Sequence, residues 1–282
     1  METGKQRPLI VFSNDDGIAS PGLWAAVSAF NGLADLLVVA PQEQQSGMGR
    51  SMPSSSTGML YPHTPPAHIE NCVAYGVHAS PAQAIQHAVL ELAERPIDLV
   101  ISGINYGENV GNGITISGTV GAALEAASLG VPALAISQQT PFDLHLTYDK
   151  TVDFSVSAQY GLKFGMYILE GRYFPADVDV LKIDVPADAT PETGWRMTRV
   201  SRQRVYFPTR PDRDNPEKSG RPGYRYDADA SQSPPDSDVY VTLHEGLVSV
   251  SPMSLDMSSR LDLAQFEAEM QGDNNPAAVA SA

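Results

Sequence analysis

From residue 8 to about residue 137 the chain alternates short, wholly apolar runs with amphipathic segments, the pattern of parallel strands joined by crossover helices. PLIVFS predicts a first buried strand, PGLWAAVSAFNGL a helix opened by Pro21 and closed near Gly32, and ADLLVVAP the next strand. Residues 42 to 79, rich in Ser, Pro, Gly and Gln, predict a long irregular excursion. SPAQAIQHAVLELAE starts with a capping Ser80 and Pro81 and carries Ala84, Ile85, Ala88, Val89 and Leu92 at helical spacing. IDLVISG then predicts a strand, SGTVGAALEAASLG a small-residue helix ending at Gly130, and VPALAIS another strand. The fold class expected is α/β, a Rossmann-like, doubly wound, mostly parallel sheet. Such sheets bind ligands beyond the carboxyl ends of their strands.

Residues 151 to 170 predict a further helix and VDVLKIDVP a further strand. Past residue 194 the texture changes. WRMTRVS, RVYFPTR and SDVYVTLHEGLVSVSP alternate or run β-branched, whereas the polar, Pro-rich stretch from 211 to 238 is long for a loop in a compact domain. The expected organisation is an α/β core over 1–194 and a smaller β-rich C-terminal part over 195–282, whose arm packs on another subunit. The tail from about 263 begins helix-like and frays.

At 282 residues the chain can bury a sizeable core. Lys plus Arg number 18 against 33 Asp plus Glu, a net charge of -15, so the surrounding field repels polyanions. Duplex nucleic acid is thereby excluded as a partner, because its binding needs basic side chains on phosphates. A small phosphorylated substrate stays compatible where a cation or a helix N-terminus offsets the charge. The lone Cys72 allows neither an intrachain disulfide nor a cysteine metal cluster. The N-terminal stretch lacks the features of a signal peptide, and no apolar run approaches a membrane span. The expectation is a soluble, cytoplasmic protein with no membrane partner.

Asn14, Asp15, Asp16 and Gly17 end the first strand. Two neighbouring carboxylates repel one another unless a cation or strong donors offset the cost, although Asn, Asp and Gly are also ordinary turn residues. Three more small polar clusters fall on the same edge: Ser46, Gly47 and Gly49 after the second strand; Ser102, Gly103, Asn105 and Gly107 after the next full strand; and Ser117, Gly118 and Thr119 at a helix N-terminus. Carboxylates, a hydroxyl and an amide are hard oxygen donors, suited to Mg, Mn or Ca. Two negative charges would leave a divalent site near neutral and open to a phosphate dianion. The helix N-terminus adds donors for phosphate oxygens, though Ser117 also suits a plain N-cap.

In this order and spacing, SNDDGIASPG, APQEQQSG, DLVISGINYGENVG and SGTVGAALEA resemble the SurE family of nucleotidases, also called survival protein E, and HEGLVSVSPMSLDMS resembles that family's last shared stretch. The resemblance implies a metal-dependent phosphomonoesterase, a hydrolase of nucleoside 5'- or 3'-monophosphates. It places metal ligands on Asp15, Asp16, Ser46 and Asn105, with one divalent ion (Mg or Mn) per subunit. Asp15, Asp16 and Asn105 become the catalytic set, and Asn14, Ser46, Gly47, Ser117, Gly118 and Thr119 the substrate contacts. It further implies a homodimer or homotetramer with exchanged C-terminal extensions. Two departures stand out: Ile116 where the family commonly has tyrosine, and Lys182 and Asp184 where it has amides.

Two other designs compete. An aspartyl-phosphate phosphatase needs its second acid two positions after the first, where this chain has Gly17. A non-catalytic nucleotide-binding regulator has little use for a water-activating ion. The six histidines, among them His87 and His244, fit no two-metal phosphoesterase motif.

Overall fold

The computed structural model describes residues 6–271 apart from 146, 150, 172–173 and 228. In chain order its elements are β1 (Leu9–Ser13), α1 (Pro21–Ala29), β2 (Asp35–Pro41), β3 (Leu60–His63), β4 (Cys72–Val77), α2 (Pro81–His87), β5 (Leu99–Tyr106), α3 (Gly118–Ser128), β6 (Ala133–Gln138), α4 (Ser155–Leu169), β7 (Val180–Val185), β8 (Trp195–Met197), β9 (Tyr206–Thr209), β10 (Gly223–Tyr226), α5 (Asp238–Leu243), β11 (Val248–Met253) and α6 (Leu263–Gln271). A nine-stranded sheet runs in the order β3-β4-β2-β1-β5-β6-β7-β11-β8. Its centre, from β4 through β7, is parallel. The strands β3 and β11 run antiparallel to their neighbours β4 and β7. This is the α/β doubly wound sheet expected.

Strand alternation sorts the core into two layers. Ile10, Phe12, Val38 and Ile101 point to the face covered by α1 and α4, with Phe30 and Phe164 among them. Val11, Val39, Val100 and Ala135 point to the face covered by α2 and α3. Because side chains of a strand alternate between faces and both faces are covered, the strands read as continuous apolar runs. Each fully buried side chain such as Phe12 stabilises the fold by about 2–3 kcal/mol.

The sequence reading differs from the structure in two stretches. The 42–79 excursion contains β3 and β4, which extend the sheet beyond β2. β4 pairs in parallel along its full length with β2, and Pro62 is tolerated because β3 is an edge strand. The β-branched run 238–243 is helical. Ser237 caps it by accepting a hydrogen bond from Tyr240 N at 3.2 Å, and Val239 and Val241 are fully buried. Capping and burial here outweigh the weak strand preference of valine.

β8 and β11 join the main sheet, whereas β9 and β10 form a separate antiparallel hairpin. The helix α6 buries none of its side chains, and the end of the tail expected to fray lies outside the described residues. No helix among the described residues is long and apolar enough to cross a membrane.

Candidate active site at the strand ends

β1 is flanked by β2 on one side and β5 on the other, so the chain winds in opposite directions from it and a crevice opens at the carboxyl ends of β1 and β5. Asp15 and Asp16 follow β1 directly. Asn105 lies near the end of β5, past a register shift against β6 between Ser102 and Asn105. Such irregularities re-aim side chains beside a site. A cavity of about 340 Å³ opens here, walled by Asp15, Asp16, Ser46, Gly47, Asn105 and Ser117 on the sheet side. Arg204, Tyr206, Pro208, Gly223 and Tyr224, from the hairpin and the residues leading into it, wall the opposite side.

Both acids are buried, at 5 % and 2 % exposure. Asp15 accepts from Thr119 Oγ1 at 2.6 Å and from Gly118 N at 3.0 Å. Asp16 accepts from Tyr106 N and Gln44 Nε2, both at 3.1 Å. Among the described residues no lysine or arginine pairs with either. Burial raises the Asp15 carboxyl above its ordinary value in spite of these donors, and burial together with the charge of Asp15 raises Asp16 further. Asn105 directs Nδ2 to the Tyr106 and Gly107 carbonyls, at 3.1 and 2.8 Å, which leaves Oδ1 facing Thr119 Oγ1 at 3.3 Å beside Asp15.

Two glycines make this geometry possible. A Cβ on Gly118 would lie 2.6 Å from the Asp15 Cβ, so a side chain there displaces the acid. A Cβ on Gly121 would meet the Gly49 carbonyl carbon at 2.4 Å, so α3 holds the Ser46-bearing loop in backbone contact. That loop is pinned further by Gln45 N to Asp15 O at 2.7 Å and Gly49 N to Ile116 O at 3.0 Å.

Of the residues singled out from the sequence, Asp15, Asp16, Ser46, Gly47, Asn105 and Ser117 come together at the cavity. Gly118 and Thr119 reach it through Asp15, since the first donors of α3 are engaged by that carboxylate. Ser117 also caps α3, accepting from Val120 N at 3.1 Å. Asn14 is fully buried, and both ends of its amide bond Gly17, at 3.1 Å each, so it holds the turn behind the acids. His244 lies against Tyr240 at the end of α5, and His87 bonds Glu91 at 2.7 Å. Ile116 is 60 % exposed at the cavity mouth.

Sequence reasoning passed over Gln44, Glu108, Arg204, Tyr206 and Tyr224. Gln44 and Glu108 sit inside quoted motifs, where a charged or amide side chain in a glycine-rich loop was the available signal. The hairpin residues carry none, because only tertiary packing brings them to the strand ends.

The donor set fits a divalent cation. Two adjacent buried carboxylates with no ammonium or guanidinium partner among the described residues, a hydroxyl and an amide oxygen suit a hard ion. Among the described residues no group of three or more His, Cys, Asp and Glu able to hold a metal forms, so a cation bound here would need neutral oxygen donors to complete its coordination.

The family model of survival protein SurE matches residues 10–206. The chain is 37% identical over 270 residues to a 5'-nucleotidase SurE of Thermococcus gammatolerans, covering 94% of this chain and 97% of that one. It is likewise 37% identical over 263 residues to a 5'-nucleotidase SurE of Methanocella arvoryzae, covering 92% and 96%. Among solved structures it superposes on the SurE protein of Aquifex aeolicus with a TM-score of 0.68 at 27% identity, covering 94% of this chain and 98% of that one. With the model matched from β1 to the start of β9 and these relatives matched nearly end to end, the chain belongs to the SurE family.

Proposed function

We propose that this chain is a cytoplasmic, metal-dependent 5'-nucleotidase that hydrolyses nucleoside 5'-monophosphates, and 3'-monophosphates as well, to nucleoside and phosphate. The observation that carries the reading is the pair of adjacent, buried carboxylates, Asp15 and Asp16, which no cation among the described residues neutralises, facing a cavity that also presents Ser46 and Asn105. The nucleotidase relatives support the substrate class.

Asp15, Asp16, Ser46 and Asn105 would hold one Mg or Mn ion. Bound there, the ion would supply an activated water and polarise the phosphoryl group. The protein's own groups bind and orient. Ser117 and Gly47 stand where phosphate oxygens enter, and Gly118 and Thr119 fix the Asp15 carboxylate in place. The N-terminal end of α3 adds a favourable dipole for the anionic centre. A cavity of about 340 Å³ accommodates a nucleotide-sized ligand with the hairpin over its far end.

We read the chain further as a 1–194 core and a 195–282 extension that engages a second copy, giving a homodimer or homotetramer. Supporting this, Leu263, Phe266 and Met270 form an exposed apolar stripe on α6, and the loop between β9 and β10 projects into solvent.

The test is phosphate release from a panel of nucleoside monophosphates with and without Mn or Mg, for the wild type and Asp15→Asn. Metal-dependent release lost in the variant is expected. Absence of release from every nucleotide would leave a nucleotide-binding regulator, and a trapped phospho-enzyme without metal would identify an aspartyl-phosphate route.

A further inference from the structure

The hairpin wall raises a question of support. β9 and β10 pair only with one another, and β10 is exposed along its whole length. An isolated two-stranded hairpin is marginally stable in water, so its position over the cavity must come from contacts outside it. Part comes from Tyr206, whose ring packs on the small cluster of Val110, Val205, Ala230 and Val239. A further part comes from one buried acidic side chain.

Glu108 follows β5 and is only 3 % exposed. Among the described residues no cation pairs with it. Its side chain accepts a hydrogen bond from Tyr206 Oη, which donates to Oε1 at 3.1 Å, and Tyr226, paired with Tyr206 across the open end of the hairpin, brings its hydroxyl within electrostatic reach of the same carboxylate. A buried carboxylate whose side-chain donor lies on a separate hairpin couples that hairpin to the site, because lifting it strands the acid without a donor. The ring of Tyr206 contacts those of Tyr224 and Tyr226, with centroids 6.0 and 5.3 Å away, and that of His145 at 6.1 Å. Fastening Tyr206 therefore sets a whole aromatic wall, of the kind on which nucleobases stack irrespective of their identity.

We propose that Glu108 is a positioning residue that fastens the β9–β10 hairpin over the nucleoside end of the cavity, so that recognition of the nucleoside, and not the phosphoryl chemistry at Asp15 and Asp16, depends on it. The inference extends the nucleotidase reading and rests on it for the identity of the substrate. Glu108 and Tyr226 touch no reacting atom in this assignment.

The experiment uses the full chain loaded with Mn and two substrates: AMP, and glycerol 2-phosphate, a phosphomonoester with neither base nor ribose. For Glu108→Leu and for Tyr226→Phe the KM for AMP rises, about tenfold and about fivefold, while kcat changes less than twofold and glycerol 2-phosphate turnover stays within twofold. Glu108→Gln, which keeps an acceptor oxygen, recovers most of the AMP affinity. Equal losses on both substrates, or an unchanged KM for AMP in both variants, would overturn the proposal. Should Glu108→Leu not fold, the exposed-strand variant Tyr226→Phe decides alone. If the wild type releases no phosphate from any nucleotide, it is the nucleotidase reading that fails; calorimetric AMP affinity, with the same ratios expected between wild type and variants, then decides the role of Glu108.

Discussion

Asp15 and Asp16, to which the proposed function assigns the metal, also carry an energetic cost. Burial raises both above the ordinary carboxylate value of 3.8, so the folded chain holds protons there that the unfolded chain has released. Stability contributed by such groups is complete below the unfolded pKa and is lost as pH rises through the raised folded values. The metal-free protein is therefore expected to melt at progressively lower temperature as the pH rises above the ordinary carboxylate value. Asp15→Asn flattens that slope, and Mn raises the melting temperature at pH 8 in the wild type but not in the variant. Differential scanning calorimetry of the two chains checks all three, and the same substitution lowers metal-dependent phosphate release at least ~100-fold. Gly118→Ala separates geometry from charge. A Cβ 2.6 Å from that of Asp15 must move the acid, so activity falls steeply while the fold loses only about 1–3 kcal/mol, measured as kcat beside urea midpoints.

At the scale of elements, two devices stabilise the surroundings of the strand ends. The first is the cap of α3. Ser117→Ala removes the acceptor for Val120 N and is expected to cost about 1 kcal/mol, roughly 2–4 °C in melting temperature. The second is a fully buried ion cluster. Lys182 on β7 bonds Asp184 and lies 3.1 Å from Asp238 of α5. Burial opposes its charge, yet the two carboxylates hold the ammonium above its ordinary value. Asp184, raised to about 6 by burial against the pull of Lys182, accepts from Asn109 N at 2.7 Å, and Asp238 from Gly111 N at 3.1 Å. The cluster thus ties β7 and α5 to the loop that carries Glu108. Lys182→Met leaves two buried acids uncompensated and is expected to destabilise by about 3–5 kcal/mol in chemical denaturation, with Asp184→Asn in the same chain restoring a large part. The departure at Lys182 and Asp184, legible in the sequence as two charges inside a strand, had no assignable purpose until α5 folded as a helix and brought Asp238 to it.

For the whole molecule, the net charge of -15 favours cations at the cavity and disfavours polyanions. Gel-shift assays with duplex DNA in physiological salt are expected to show no complex. Light scattering is expected to give a mass about two or four times the 30.2 kDa of one chain. Shortening the loop between β9 and β10 is expected to lower that mass without changing phosphate release per site.

Local sequence determined whatever depends on neighbours along the chain. Alternation of apolar runs and helical faces specified β1, β2, β5, β6 and the helices between them, because a strand covered on both faces has no other composition available to it. The doubling of Asp15 and Asp16 at a strand end, with serine, asparagine and glycine clusters at the other strand ends, specified that these residues meet at the switch point, because strand direction alone delivers all of them to one edge. Tertiary structure decided what depends on partners distant in sequence. β4 is recognisable by its pairing with β2 and not by its own Ser- and Pro-rich surroundings. The 238–243 run became a helix because its cap and its buried valines outweighed its strand preference. The tyrosine wall, and the role of Glu108 behind it, exist only where a hairpin about a hundred residues away folds back over β5.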